Sequence, residues 1–240
     1  MKLPEILFEN DDYIILNKPS GLLSIPDHYN NPNNLTGMLR RKIGDIFICH
    51  RIDKDTSGCI VFAKNAAAHR HASMAFEHHE VEKEYLAIAH GNFQDEKGII
   101  EDKLMPHGSK QHLVIVHNKF GKEARTDYKV LEQYKSYALV SCLIKTGRMH
   151  QIRVHLENIG HPVLCDPFYS PGKEFFVSSI KRRYNLKDDQ ENERPLTYRL
   201  CLHAHRILFK DENGKVIKAE GELFKDMRAT LQQLRKWNKV

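Results

Sequence analysis

The 240-residue sequence has no apolar run near the roughly 20 residues needed to span a bilayer. Its first residues, MKLPEILFENDD, lack the long apolar stretch of a signal peptide. Membrane insertion and export are therefore not expected, and the cytoplasm is. Cysteine is sparse: the chain has five (Cys49, Cys59, Cys142, Cys165 and Cys201), none in a CxxC pair. An odd count without paired spacing argues against a disulfide framework or a zinc ribbon, and leaves reduced, buried thiols as the simpler reading. There is no Gly-rich phosphate loop, no DFG triplet and no HExxH pattern, so neither nucleotide nor metal chemistry is signalled. No internal repeat is present. Acidic residues are outnumbered, 31 against 37 Lys and Arg, which gives a formal charge of +6 and a pI near 9.0. That excess suits a polyanionic partner without specifying one.

What the chain does have is a globular composition, 41% hydrophobic, at a length that can bury a substantial core. ILFENDDYIILNKPSG reads as two short strands around a turn at Asn10 to Asp12. SIPDHYNNPNN, residues 24–34, is rich in Pro and Asn and reads as a loop. Leu35, Met38, Leu39 and Ile43 have helical spacing, with Gly44 as the stop. Asn65 can cap an Ala-rich helix that runs to about His79.

EKEYLAIAHG is a strand candidate with Tyr85, Ala87 and Ala89 on one face. KGIIEDKL, HLVIVHN, ARTDYKVLEQY and YALVSCLIK add four more strands, and LCLHAHRILF another. RMHQIRVHLENIG and GELFKDMRATLQQLRKW read as helices. Strands outnumber helices and many connections are short, so the expected class is α+β with a mixed, largely antiparallel sheet and flanking helices. One domain is expected over residues 1–240, with the charged stretch 171–195 as an exposed, mobile insertion.

Two stretches carry candidate chemistry. HRIDKDTSG, residues 50–58, puts Asp53 beside Arg51 and Lys54 and between two apolar runs. Spacing alone favours a structural salt bridge, while a carboxylate held ionised by a cation can also act as nucleophile, base or ligand. The likeness to a kinase catalytic loop fails, because residue 58 is Gly where an Asn would be needed.

The second stretch is KTGRMHQIRVHLENIGHP, residues 145–162. On a helical wheel Met149, Ile152, Leu156 and Ile159 form a narrow apolar stripe. Arg153 borders it, with Arg148, Gln151 and His155 on the other side. A partly buried Arg153 needs an acid or a phosphate, and Asp53 is a candidate. His150 and His155 fall on different helix faces, so no metal set is expected. The histidines at 69, 71, 78 and 79 read as surface residues of one helix, and Tyr85 reads as a core residue or a stacking wall.

NKPSG (17–21), HRIDKDTSG (50–58), KEYLA (83–87), TGRMHQIRVHLENIGHPVLCDPFY (146–169) and LHA (202–204) occur in one order along most of the chain. In that combination the sequence resembles the RluA-type RNA pseudouridine synthases. It departs from their pattern at Ile52, where Leu is commoner, and at Cys165, where Gly is usual.

The resemblance implies a single pseudouridine synthase-like catalytic domain with an RNA-binding cleft. It also implies that no separate N-terminal RNA-binding domain precedes the NKPSG stretch. Asp53 would be the catalytic aspartate, Arg153 its ion-pair partner and Tyr85 the residue that stacks on the target base. Arg51 would fill the gap left by a flipped base, and Lys18, Arg148, His150 and Gln151 would also contact RNA. The implied partner is ribosomal or transfer RNA, and the implied protein is a monomer that needs neither metal nor organic cofactor. The competing readings are a non-catalytic RNA-binding protein that keeps the cleft, and a metal-dependent nuclease.

Overall fold

A computed structural model describes residues 2–26, 33–110, 112–185 and 192–240. Part of the 24–34 loop and part of the 171–195 stretch lie outside the described residues. The chain forms two compact units, each made of three segments. The first comprises Met1–Tyr85, Leu143–Lys145 and His203–Leu223; the second comprises Leu86–Cys142, Thr146–Leu202 and Phe224–Val240.

In the first unit β1 (Glu5–Glu9) and β2 (Tyr13–Lys18) form the expected hairpin. Asn10 makes the turn, its Oδ1 accepting from the backbone N of Asp12 and Tyr13 at 3.0 and 2.7 Å. β2 pairs antiparallel with β4 (Ser57–Ala63), from Tyr13 opposite Ala63 to Lys18 opposite Gly58. The apolar run at 46–49 yields only the two-residue strand β3 (Phe47–Ile48), paired to the end of β4. β10 (Leu202–Lys210) runs parallel to β4, with His203 opposite Ser57 and Ala204 opposite Gly58. β11 (Val216–Glu220), which the sequence reading missed, pairs antiparallel with β10. The sheet is thus mixed and mostly antiparallel.

α1 (Leu35–Ile43) ends on Gly44 at φ 101°, and α2 (Ala66–Glu77) is capped by Asn65 Oδ1, which accepts from Ala68 N at 2.9 Å. Ala68, Ala72 and Ala75 lie on one face of α2 and let it sit close on the sheet, against Tyr13, Ile15, Val61, Ile207, Phe209 and Ile217. Tyr13 meets Phe209 edge-on with ring centroids 5.1 Å apart, and its hydroxyl donates to Ala68 O at 3.1 Å. Burying Phe209 alone contributes about 1.5–3 kcal/mol.

β5 (Glu82–His90) and β9 (Tyr137–Ile144) have residues in both units. In the second unit the strand order is β9, β8 (Lys122–Gln133), β6 (Lys97–Pro106), β7 (Val114–Val116). β6 pairs antiparallel with both β8 and β7. α3 (Gln151–Asn158) packs Val154 against Leu104, Val114 and Ala124. α4 (Lys225–Trp237) starts four residues later than the pattern from Gly221 suggested.

Two further expectations need correcting. α3 does not carry the expected apolar stripe: Met149 and Ile159 are exposed, whereas Gln151 to Leu156 are all buried, so Gln151, Arg153 and His155 are internal struts. The stretch from 171 is not wholly exposed either. Phe175 is 2% exposed, its N donates to Thr197 O at 2.9 Å, and its ring meets Tyr137 edge-on.

Candidate active site

The Asp53 loop in the first unit is held mainly through its own backbone. Ser24 Oγ donates to Ile52 O at 2.7 Å. Lys54 O accepts from Lys18 Nζ at 2.9 Å and from Gly21 N at 2.9 Å. Ser20 Oγ donates to Asp55 O at 2.7 Å. Residues 18–24 therefore clamp the carbonyls on both sides of Asp53, whose own side chain stays partly exposed.

At the head of the loop His50 Nε2 accepts from Val61 N at 3.1 Å, and its ring stacks on Phe76 at 4.6 Å. Burial, and then the Lys83 charge, lower its pKa to about 3, so the ring is neutral and can serve as acceptor. At the foot Gly58 has φ +114°, and a Cβ there would lie 2.2 Å from Ala204 O. Only glycine fits where β4 and β10 meet.

Lys18 corrects the sequence reading. It was expected to contact RNA, but it is 0% exposed and its ammonium donates to the carbonyls of Pro19, Leu22 and Lys54. It organises the loop instead of meeting a ligand. Arg51, in contrast, is exposed.

Tyr85 is 8% exposed. Burial, and then the Asp53 charge, push its hydroxyl well above the usual tyrosine range, so the phenol stays neutral and sits in the field of Asp53. Below the loop, Ser57 Oγ lies 2.9 Å from His203 Nδ1, and His203 Nε2 lies 3.0 Å from Gly221 O. The carbonyl assigns the ring proton to Nε2, so Ser57 donates to Nδ1.

The segment in the second unit is held mainly by side chains. Gln151, also expected to contact RNA, is 3% exposed and fully used in the fold. Its Oε1 accepts from Thr146 Oγ1 (2.6 Å) and Arg148 N (3.1 Å), and its Nε2 donates to Arg125 O (2.9 Å) and Thr126 Oγ1 (3.0 Å). His155 Nδ1 lies 3.0 Å from the same Thr126 hydroxyl, and burial lowers its pKa to about 4.

Arg153 is 2% exposed. Its Nε and Nη2 donate to Asp166 Oδ2 and Oδ1 at 2.6 and 2.8 Å. Asp166, a residue given no role in the sequence reading, thus supplies an acid to this buried guanidinium. Asp166 Oδ1 also accepts from the backbone N of Phe168 and Tyr169, at 2.9 and 3.2 Å.

The Arg153 guanidinium lies over the Phe168 and Tyr169 rings, at 5.4 and 5.2 Å. His150 has φ 54° and its Nδ1 lies 3.0 Å from Tyr169 Oη. Arg148 is exposed, with Nε donating to Glu123 O at 3.0 Å.

Residues 12–158 match the profile of the RNA pseudouridylate synthase family. The chain belongs to that family. Among its members, a ribosomal large subunit pseudouridine synthase D of Nitrosomonas europaea is 33% identical over 96% of this chain and 65% of its own length. An uncharacterized RNA pseudouridine synthase of Mycoplasma pneumoniae is 34% identical over 85% of this chain and 62% of its own length. The chain therefore spans less than two thirds of the length of these curated relatives. The solved structure of human RNA pseudouridylate synthase domain containing 4 shares the fold, with a TM-score of 0.72 at 22% identity over 96% of this chain and 93% of that one.

The pseudouridylate synthase profile takes in Lys18, Asp53, Tyr85 and Arg153, and stops before Asp166, Phe168 and His203. The unusual Cys165 has φ 57°, a conformation in which glycine is unstrained.

Proposed function

We propose that this protein isomerises uridine to pseudouridine in structured RNA, with Asp53 as the catalytic carboxylate. The observation that carries the reading is a family match over residues 12–158 whose HRIDKDTSG loop has its backbone clamped on both sides of Asp53. In the reaction the bond from the sugar to the uracil nitrogen breaks, the base rotates, and a new bond forms from the sugar to carbon five. Water has to be kept out, or the freed base is lost. No oxidant or phosphate donor is consumed.

The target base has to leave its stack, at about a few kcal/mol. Stacking on Tyr85 returns about 1–3 kcal/mol, and Arg51 takes the vacated space. Tyr85 suits this role as a neutral phenol close enough to feel the Asp53 charge. Arg153 is the cation assigned to keep Asp53 ionised, with Arg148 and His150 as RNA contacts. The names of the relatives favour large-subunit ribosomal RNA over transfer RNA as substrate. On this reading residues 1–240 act as one catalytic domain, a cytoplasmic monomer without metal or cofactor.

The test is tritium release from RNA labelled at carbon five of uracil, with wild type and with Asp53→Asn. Wild type releases tritium in the presence of chelator and leaves the RNA uncut. Asp53→Asn loses release by about 10³-fold or more while keeping its RNA affinity. Release by Asp53→Asn at the wild-type rate overturns the assignment.

A further inference from the structure

Phe168 is large, apolar and 47% exposed, yet it is firmly held. Its backbone N donates to Asp166 Oδ1 at 2.9 Å, and Asp166 is 0% exposed and doubly bonded to Arg153. An aromatic with so little backbone freedom gives up little entropy when it is covered, which is what a recognition platform needs. The Arg153 guanidinium lies over the ring at 5.4 Å and is itself buried. Phe168 nonetheless keeps much of its surface open to solvent, and the cation beside it draws π density from the exposed part of the ring. Such a face suits an electron-rich heteroaromatic ring.

His150 strengthens the case. Its ring lies 25° from parallel to Phe168, with centroids 5.8 Å apart, and its backbone is left-handed at φ 54°. Non-glycine residues seldom hold that conformation, and retained strain of this kind gathers at functional sites. The exposed Arg148 stands two residues before it and is the nearest cation in sequence for a phosphate.

We infer that Phe168, flanked by His150, is a stacking subsite for an unpaired nucleobase of the RNA, with purines preferred. The inference rests on the RNA reading above and adds a second base-binding position, distinct from Tyr85. It makes Phe168 a binding residue that acts on affinity and sequence preference, not on the bond-making step.

The experiment measures affinity for fluorescein-labelled single-stranded oligoadenylate and oligouridylate of about ten nucleotides. It compares wild type, Phe168→Leu, which keeps apolar bulk but removes the π face, and Phe168→Trp, which keeps it. KM and kcat for tritium release from uracil-labelled ribosomal RNA are measured alongside. Wild type is expected to bind oligoadenylate more tightly than oligouridylate. Phe168→Leu loses affinity on the order of ten-fold and the adenylate preference with it, KM rises with little change in kcat, and Phe168→Trp restores both.

An active wild type, with Phe168→Leu equal to it in affinity, preference and KM, overturns the subsite and leaves the proposed activity standing. A wild type that binds the oligonucleotides as described but releases no tritium from any RNA overturns the activity and supports the subsite.

Discussion

Around Asp53 the chain is secured by its main chain: three successive-loop carbonyls, those of Ile52, Lys54 and Asp55, are caught by Ser24, Lys18 and Ser20. Around Arg153 it is secured by side chains: Gln151, His155 and Arg153 are all buried and bonded to Thr126, Arg125 and Asp166. The first arrangement leaves its acid partly exposed, and the second encloses its base completely. On the proposed reading Asp53 must keep access to substrate, so its support has to come from the backbone around it. The Arg153 guanidinium can be buried because Asp166 comes with it as a counter-ion. The two regions should therefore fail differently when damaged.

The largest effect on folding is expected in the second region. Asp166→Asn removes the charge opposite a buried guanidinium and should lower stability by about 3–5 kcal/mol, seen as a large fall in melting temperature. Stability within about 0.5 kcal/mol of wild type would show that the two regions are not supported differently after all.

Lys18→Met comes next. It leaves the carbonyls of Pro19, Leu22 and Lys54 without their shared donor and should cost about 1–3 kcal/mol in urea unfolding. Because Lys18 is closed to solvent, RNA affinity of the folded variant should match wild type. A marked drop in affinity would restore Lys18 as an RNA contact.

Acid should strain both regions through their buried histidines. His155 titrates near 6.5 when unfolded but near 4 when folded. The unfolded state therefore takes up the proton first as pH falls. The associated stability is complete above pH 6.5 and is lost between about pH 6.5 and 4, at up to about 1.4 kcal/mol per pH unit. Urea midpoints at pH 7 and pH 5 measure this, and His155→Gln should reduce the difference, leaving the part that His50 contributes.

The smallest effect concerns backbone strain. The Asp53 loop meets its one left-handed turn with Gly58, whereas the Arg153 region places Cys165 at φ 57°. Cys165→Gly should be more stable than Cys165→Ala by about 1 kcal/mol, since both lose the thiol but only alanine keeps the strain. The reverse order in melting temperature would remove that contrast.

Much of this was legible in the sequence because it is local. The Asn10 turn, the Asn65 cap and the Gly44 stop are each decided within a few residues. What was not legible depends on distant partners. Gln151 and Lys18 look like ligand-binding residues in one dimension, because the carbonyls and hydroxyls that occupy them come from other segments. Met149 and Ile159 completed an apolar stripe on paper, but α3 is too short to include either, and its first six residues are all buried. β11 reads V-I-K-A-E, too short and polar to stand out until β10 is there to receive it. Asp166 sat in full view within CDPFY, without a periodicity or partner to mark it.

The parallel seam that joins His203 to Ser57 has a consequence for biosynthesis. When a ribosome has reached residue 100, β4 already has β2 but lacks the neighbour that closes on Gly58. That strand begins at Leu202, so the foot of the Asp53 loop is completed only once the chain from residue 202 onward has been made. A nascent chain stalled before that point would carry the whole HRIDKDTSG motif and still be unable to set it.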